Sequence, residues 1–305
     1  MKQTLTKSCI TLFILLFFNV YKLHSFTEPF NSGNINLLTS FGFRSSASYY
    51  AANGNNVIEL IDSNRKENNI YTFDLKNFIF DFGFRYAITD EFQLQCDIPL
   101  NYSTLNELYL KDTNVASTSY GQRATKAELS YFLPENYKIK FLYNLVKGKI
   151  NTYLTAGINI PPSLKNGKQN DGEFHYFSSF QFPLSITSNL ILNGDWIEAT
   201  VCYYLRTGEF SDLVKLHLEG GFSTVPDTKL VGSLDYLMNV DEIDRNGIFN
   251  IRQNPFNENS LYLGAEFFIK LHKKIETSIS YNVSVLGKNS WSFGIFGLKA
   301  NFLIP

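Results

Sequence analysis

Polar and apolar residues alternate with a period of two over unusually long stretches of this sequence. In one stretch the even positions 276–284 are all polar, and the odd positions are Ile275, Thr277, Ile279, Tyr281, Val283 and Val285. Successive side chains of a β-strand point to opposite faces, so the stretch predicts a strand with one apolar face. Strands of soluble sandwiches average about 5–6 residues, whereas a tilted membrane strand needs ~9–11. The long alternation therefore favours a membrane barrel over a soluble β-sandwich, which remains the alternative.

Segments of this kind recur along the chain. We place them at residues 34–50, 71–88, 91–102, 122–133, 150–160, 176–188, 195–206, 214–222, 228–240, 261–271, 275–285 and 296–304. Their connections alternate between short and long, as do the periplasmic turns and external loops of bacterial outer-membrane barrels. We interpret 134–136 as a short turn and 137–148 as a long periplasmic connection that could instead be part of a strand. The sequence thus predicts an all-β, transmembrane antiparallel barrel of about twelve strands.

Residues 1–25 are predicted to be a cleaved signal peptide that precedes the barrel of residues 26–305. Lys2 and Lys7 form a basic start, an apolar run begins at Cys9, and residues 22–25 are a polar exit that ends in a small residue. The apolar run is shorter than the ~20 residues that span a bilayer as a helix, and no longer one follows. Export without a helical anchor predicts residence in the outer membrane.

Composition excludes several other classes of protein. The signal carries three lysines and no acid, so the formal net charge of −1 becomes −4 after cleavage. A nucleic-acid partner would need a basic face, and we expect none. Two cysteines remain, Cys96 and Cys202, too few for a disulfide framework. The histidines are isolated and no metal-binding motif occurs, so we expect neither a metal nor a cofactor.

Charged residues and one histidine recur on the polar face of the predicted strands. A lysine or arginine facing lipid near the midplane would cost ~2–4 kcal/mol, so we predict that this face lines the lumen. The residues are Asp81, Arg85, Asp97, Lys126, Glu128, Glu198, Lys215, His217, Glu219, Lys229, Asp235, Glu266, Lys270, Glu276 and Lys299. In the last hairpins Glu266 and Glu276 should point inward, and Phe267 and Ile279 toward lipid. These groups either fill the interior with ion pairs or line a hydrated conduit, because twelve strands are intermediate between filled and open barrels.

Aromatic residues near strand ends are expected to form a girdle at the periplasmic interface, where amphipathic rings are favoured. We assign to it Tyr86, Phe92, Tyr131, Trp196, Phe222 and Phe302.

Catalysis is not expected from this sequence. A phospholipase barrel would show a histidine in a His-x-Ser-Asn-Gly-like run, and a protease barrel would pair acids with an Asp-His couple; neither is present. His217 is expected to be a member of an ion pair. We therefore predict a pore or passive transporter in outer-membrane lipid, for a small hydrophobic or amphipathic solute. The alternatives are an interaction barrel that displays external loops and, less favoured, an outer-membrane enzyme.

Two hairpins resemble those of a known group of transporters. They are residues 82–100, which read FGFRYAITDEFQLQCDIPL, and residues 281–302, which read YNVSVLGKNSWSFGIFGLKANF. Both are similar to hairpins of barrels grouped with aromatic-hydrocarbon (phenol meta-pathway) transporters, in the long-chain fatty-acid transporter superfamily. The resemblance implies passive uptake of hydrophobic or aromatic molecules and names no ligand residue. The fatty-acid transporters proper carry a plug before the first strand, whereas only residues 26–33 precede it here.

Overall fold

A closed antiparallel barrel is the architecture of this chain. The computed structural model describes residues 32–46, 49–50, 56–57, 59–61, 69–112, 127–134, 136–161, 179–192, 195–207, 211–240, 259–272, 275–288 and 290–304. No helix among them is both long and apolar enough to cross a bilayer. The predicted signal peptide lies outside these residues.

Twelve strands form the wall, as predicted, and the last strand pairs with the first to close it. They are β1 (Ile35–Ser46), β2 (Asn69–Ala87), β3 (Phe92–Asp112), β4 (Ala127–Pro134 and Tyr137–Val146), β5 (Ile150–Ile160), β6 (Gln181–Leu192), β7 (Asp195–Arg206), β8 (Leu213–Val225), β9 (Thr228–Asn239), β10 (Asn259–His272), β11 (Ile275–Lys288) and β12 (Gly294–Ile304). Short strands at Tyr49–Tyr50, Asn56–Val57 and Ser290–Trp291 pair with one another, and Glu59–Ile61 pairs with β2.

The turn predicted at residues 134–136 is wrong, because both sides of it belong to β4. Ala127–Pro134 pairs with residues 100–107 of β3, and Tyr137–Val146 is the next neighbour of the same strand at residues 92–97. Proline has no backbone N–H to donate to a paired strand, which explains why β4 is interrupted directly after Pro134. The turn lies instead at residues 147–149, where the Gly148 N–H donates to Asn151 Oδ1 at 3.0 Å.

Several strands extend beyond the predicted boundaries. β2 begins at Asn69, β3 continues to Asp112 and β6 continues to Leu192, into segments that were predicted as connections. Outside the hydrocarbon layer neither face of a strand must be apolar, although the backbone hydrogen bonds continue. The hydrophobic alternation therefore ends before the strand does.

In the last hairpins the structure places four side chains on the sides of the wall that the alternation predicts. Phe267 and Ile279 are 40% and 50% exposed on the outer wall, whereas the side chain of Glu266 is only 12% exposed and lies inside. Glu276 also lies inside, where it lines a cavity described below. Outward aromatic rings pack on one another across β1 and β2, with 5.0 Å between the ring centroids of Phe41 and Phe80.

The aromatic girdle is correct only in part. Phe222 is half exposed on the outer wall, and Tyr86 and Phe92 are half-buried, whereas the side chain of Tyr131 lies outside the described part of the structure. Phe302 lies on the same face of β12 as the exposed Phe296 and Leu298 but is itself buried, at 3% exposure. Trp196 is 3% exposed and points into the barrel. Residues an even number of positions apart on a strand share a face, so Trp196 lies on the inward face of β7 with residues 198 and 202. This register outweighs the preference of tryptophan for membrane interfaces.

The turn between β8 and β9 is built from Pro226 and Asp227. Pro226 fixes the backbone φ angle at the first central position of the turn. Asp227, at the second, has φ of 63°, a left-handed conformation that aspartate tolerates better than most residues. The carbonyl oxygen of Asp227 accepts a hydrogen bond from the Lys270 N–H at 2.8 Å. This bond fixes the turn beside β10 and shapes the periplasmic mouth of the barrel.

Candidate functional site

The lumen contains the described part of the predicted polar face. The predicted residues that point inward are Asp81, Arg85, Asp97, Glu198, Lys215, His217, Glu219, Lys229, Asp235, Glu266, Lys270, Glu276 and Lys299. Lys126 and the side chain of Glu128 lie outside the described residues.

A chain of ionic contacts follows β8 and β9. Lys215 Nζ lies 2.6 Å from Asp235 Oδ1, and His217 Nδ1 lies 3.0 Å from the same oxygen. On the other side of the imidazole ring, Nε2 lies 3.6 Å from Glu219 Oε2. The Trp196 indole N–H donates to the second oxygen of Glu219 at 3.1 Å. A carboxylate therefore faces each nitrogen of the imidazole ring.

A second ionic contact joins β10, β11 and β12. Lys299 Nζ donates to Glu266 Oε2 at 2.6 Å, and the Ser278 hydroxyl donates to the other oxygen of that carboxylate. Each carboxylate oxygen therefore has a donor, the condition under which a largely buried charge is tolerated. Together with the contacts along β8 and β9, this pair makes the side of the lumen around β8 to β12 ionic.

The opposite side of the lumen is packed more tightly, around β2 to β6. Arg85 Nε donates to Gln93 Oε1 at 2.6 Å, and both residues are buried. Arg85 also interacts electrostatically with Tyr153 on β5 and Glu198 on β7, so its charge acts across the lumen. Asn189, at 0% exposure, donates to Glu198 Oε2 at 3.3 Å. The alternation of the sequence places these amide residues on the inward face. Because their side chains are neutral, it does not indicate that they pack one side of the lumen.

Solvent reaches the ionic side of the lumen. The side chains of Lys215, Lys299 and Asp235 remain 39%, 38% and 27% exposed although they lie inside a closed wall. On the opposite side, Lys140 of β4 and Asp97 of β3 lie 3.7 Å apart and are 30% and 17% exposed, so water also reaches this one pair. We call the side around β8 to β12 the hydrated side and the side around β2 to β6 the packed side.

A cavity of about 410 Å³ opens at the periplasmic end of the hydrated side. Its walls include Trp196, Phe268, Lys229, Lys270 and Glu276, and the turn of residues 225–228 forms its rim. The ammonium group of Lys229 lies 4.8 Å from the centroid of the Trp196 ring. The alternation of polar residues predicted that the two lysines and Glu276 line the lumen. Trp196 was assigned to the aromatic girdle instead, so its place in this cavity was not predicted.

Candidate metal ligands do not converge in the described strands and turns. No group of three or more His, Cys, Asp or Glu side chains there is placed to hold a metal ion. Cys96 and Cys202 are both free thiols. The chemistry of the described lumen is that of ion pairs, amides and aromatic rings.

Comparison with known proteins identifies the fold. No family model and no curated protein matches the sequence. Among solved structures, the chain is similar to an outer-membrane channel from Pseudomonas putida F1, with a TM-score of 0.62 and 12% identity over 94% of this chain and 98% of that one. It also matches a FadL homologue from Pseudomonas aeruginosa (TM-score 0.41, 8% identity, covering 88% and 90%). A mutant of the TodX monoaromatic hydrocarbon channel gives a TM-score of 0.43 and 8% identity, covering 90% and 91%. The first likeness confirms the predicted fold of an outer-membrane β-barrel.

Proposed function

We propose that this outer-membrane barrel is a passive channel for a small hydrophobic or amphipathic solute. The observation that carries the proposal is the hydrated side of the lumen, where paired charges keep up to 39% of their side-chain surface open to solvent. A lumen filled only for stability would exclude water from such pairs, as it does around Gln93 and Asn189. Residues 1–25 fit a cleaved export signal, which is part of the same proposal.

Ion pairs inside the wall suit conduction better than catalysis. Both ring nitrogens of His217 lie beside carboxylates, so neither nitrogen is open to a solute in the lumen. A solute that passes such groups exchanges contacts with water and with paired charges of both signs. Weak contacts at many positions favour passage over retention.

The solute class follows from the resemblance of the two hairpins to transporters of hydrophobic and aromatic molecules. Twelve strands leave a narrower lumen than the sixteen or more of general porins, so a small molecule is the appropriate cargo. The charges that line the hydrated side favour a solute with a polar group beside its apolar body.

The second candidate is an interaction barrel that conducts nothing. The buried cluster of Arg85, Gln93, Tyr153 and Asn189 favours it, because these side chains occupy one side of the lumen near the periplasm. The two candidates differ in whether the hydrated side is continuous from end to end.

Reconstitution in planar bilayers, with liposome uptake of benzyl alcohol, separates these candidates. A channel should conduct, and Lys215→Gln should shift its reversal potential toward cations because one positive charge leaves the lumen. Lys149→Gln is the matched control, since Lys149 is exposed in the turn before β5. It should leave the reversal potential unchanged. If the correctly folded protein shows no conductance and no uptake, the channel is rejected in favour of the interaction barrel.

A further inference from the structure

The cavity at the periplasmic mouth combines two features of ligand sites. Its volume of about 410 Å³ lies within the range of small-molecule sites. Two of its walls are aromatic, Trp196 and Phe268, and two lysines stand among them. Lys229 lies opposite Phe268 in the β9–β10 ladder, and Lys270 follows two residues later on the same face. Ring faces and ammonium groups therefore converge on one space.

Trp196 is held rigidly in this wall. Its indole N–H donates to Glu219, and its ring lies against the backbone of Gly221, where a Cβ would come within 2.1 Å of a ring carbon. The ammonium group of Lys229 covers part of the ring. The ring is only 3% exposed, so a ligand would contact the small part of it that faces the cavity, and its fixed position lowers the entropy lost on binding.

The two ammonium groups are not neutralised within the described structure. Neither Lys229 nor Lys270 forms an ion pair with a described carboxylate; the only partner of the Lys229 ammonium there is the Trp196 ring. Glu276 also lines the cavity, opposite Lys270 in the β10–β11 ladder, and Asp227 is exposed on the rim. Two lysines beside aromatic walls favour an anion that carries a ring.

The whole described lumen has the same bias toward positive charge. Its inward basic residues outnumber the acidic ones: Arg44, Arg85, Lys138, Lys140, Arg206, Lys215, Lys229, Lys270 and Lys299 against Asp81, Asp97, Glu198, Glu219, Asp235, Glu266 and Glu276. The full chain carries a net charge of −1, so the described lumen differs in sign from the chain as a whole. Such a field raises the local concentration of anions.

We propose that the mouth cavity binds an aromatic carboxylate, with the ring against Trp196 and Phe268 and the carboxylate between Lys229 and Lys270. This assignment rests on the proposed channel function and names the solute class of that channel. The cavity would be the last binding position before release into the periplasm.

Tryptophan fluorescence of the purified full chain tests the site. The chain has two tryptophans, so Trp291→Phe leaves Trp196 as the only reporter. Benzoate should change its emission saturably, whereas acetate, which lacks the ring, and benzyl alcohol, which lacks the charge, should bind at least ten-fold more weakly. Titration calorimetry of the wild-type barrel with benzoate supplies a second measurement that does not depend on the variant.

Charge variants locate the carboxylate. Lys229→Met and Lys270→Met should each weaken benzoate binding at least ten-fold without weakening benzyl alcohol, and Asp227→Asn should strengthen benzoate binding. Lys149→Met is the matched control and should bind benzoate as the wild type does. Equal affinity for benzoate and benzyl alcohol, or unchanged benzoate affinity in both cavity variants, would overturn the proposal.

Conductance measured on the same preparations separates the two proposals. A barrel that conducts but binds no benzoate keeps its channel function and loses the site. A barrel that binds benzoate through the two lysines but does not conduct keeps the site and loses the channel.

Discussion

Replacing Gly221 with alanine is expected to displace the Trp196 indole from the wall of the mouth cavity. A Cβ at this position would lie 2.1, 2.2 and 2.4 Å from three carbons of the ring. Carbon atoms in contact are about 3.5–4.0 Å apart, so the ring must retreat by more than about 1 Å. The backbone of β8 cannot yield instead, because it is paired with β7 on one side and β9 on the other.

Retreat of the ring removes two contacts. The indole hydrogen bond to the Glu219 carboxylate, 3.1 Å long, is of a type that contributes about 1.5–3 kcal/mol. The contact with the Lys229 ammonium, 4.8 Å from the ring centroid, contributes about 0.5–2 kcal/mol. Alanine regains about 0.5–1 kcal/mol relative to glycine in a strand. We expect the free energy of unfolding to fall by about 2 kcal/mol.

The measurement is urea unfolding in detergent, followed by heat-modifiable gel mobility and by Trp196 emission in a Trp291→Phe background. Displacement should also shift the Trp196 emission to longer wavelength, because the ring is only 3% exposed in the native barrel. Gly220→Ala is the matched control: its Cβ would face lipid, with its nearest neighbour the Trp196 carbonyl oxygen at 3.9 Å. A Gly221→Ala barrel with native emission and the stability of Gly220→Ala would refute this reasoning.

Three further changes test the wall and the lumen. Val201→Lys, near the middle of β7 on the outer wall, should lower the free energy of unfolding by ~2–4 kcal/mol, whereas Ile197→Lys on the same face at the periplasmic end should cost under ~1 kcal/mol; urea titrations in liposomes compare them. Lys299→Met should cost about 1–2 kcal/mol in the same assay, less than a fully buried pair because the lysine is 38% exposed. In the periplasmic turns, Lys147 donates to Glu91 at 2.8 Å, which lowers the pKa of Glu91 and raises that of Lys147. The contact is therefore complete near neutral pH and is lost as pH falls through the Glu91 pKa, and in carboxyl-carbon NMR titrations Lys147→Met should raise that pKa toward its ordinary value.

The strand count and the facing of residues were predictable because lipid demands an apolar outer face at every second residue. The course of β4 was not, because Pro134 and Asn136 are turn-forming residues that occur here between the two parts of one strand. The apolar odd positions from Tyr137 to Leu145 were a signal that the strand continued, but Leu142 on the inward face weakened the alternation.

The members of the site were more predictable than their arrangement. Parity placed Lys229, Lys270 and Glu276 in the lumen, and the same parity would have placed Trp196 there. The cavity itself depends on two features that the alternation of inward and outward residues does not reveal. These are the missing side chain at Gly221, which lets the indole lie flat, and the backbone bond that holds the turn of residues 226–227 beside β10.

The division of the lumen into a hydrated and a packed side follows from the volume of its inward side chains. Around Lys299 the inward neighbours are small, Ser278 on β11 and Gly297 on β12, where a Cβ would meet the Ser280 hydroxyl at 2.5 Å. Around Arg85 the inward neighbours are amides and a tyrosine, which pack closely and are themselves buried. Both sides are built from strands of the same wall, so strand number alone does not determine where solvent enters. Enlarging the residues on the small side would close the lumen without altering the barrel.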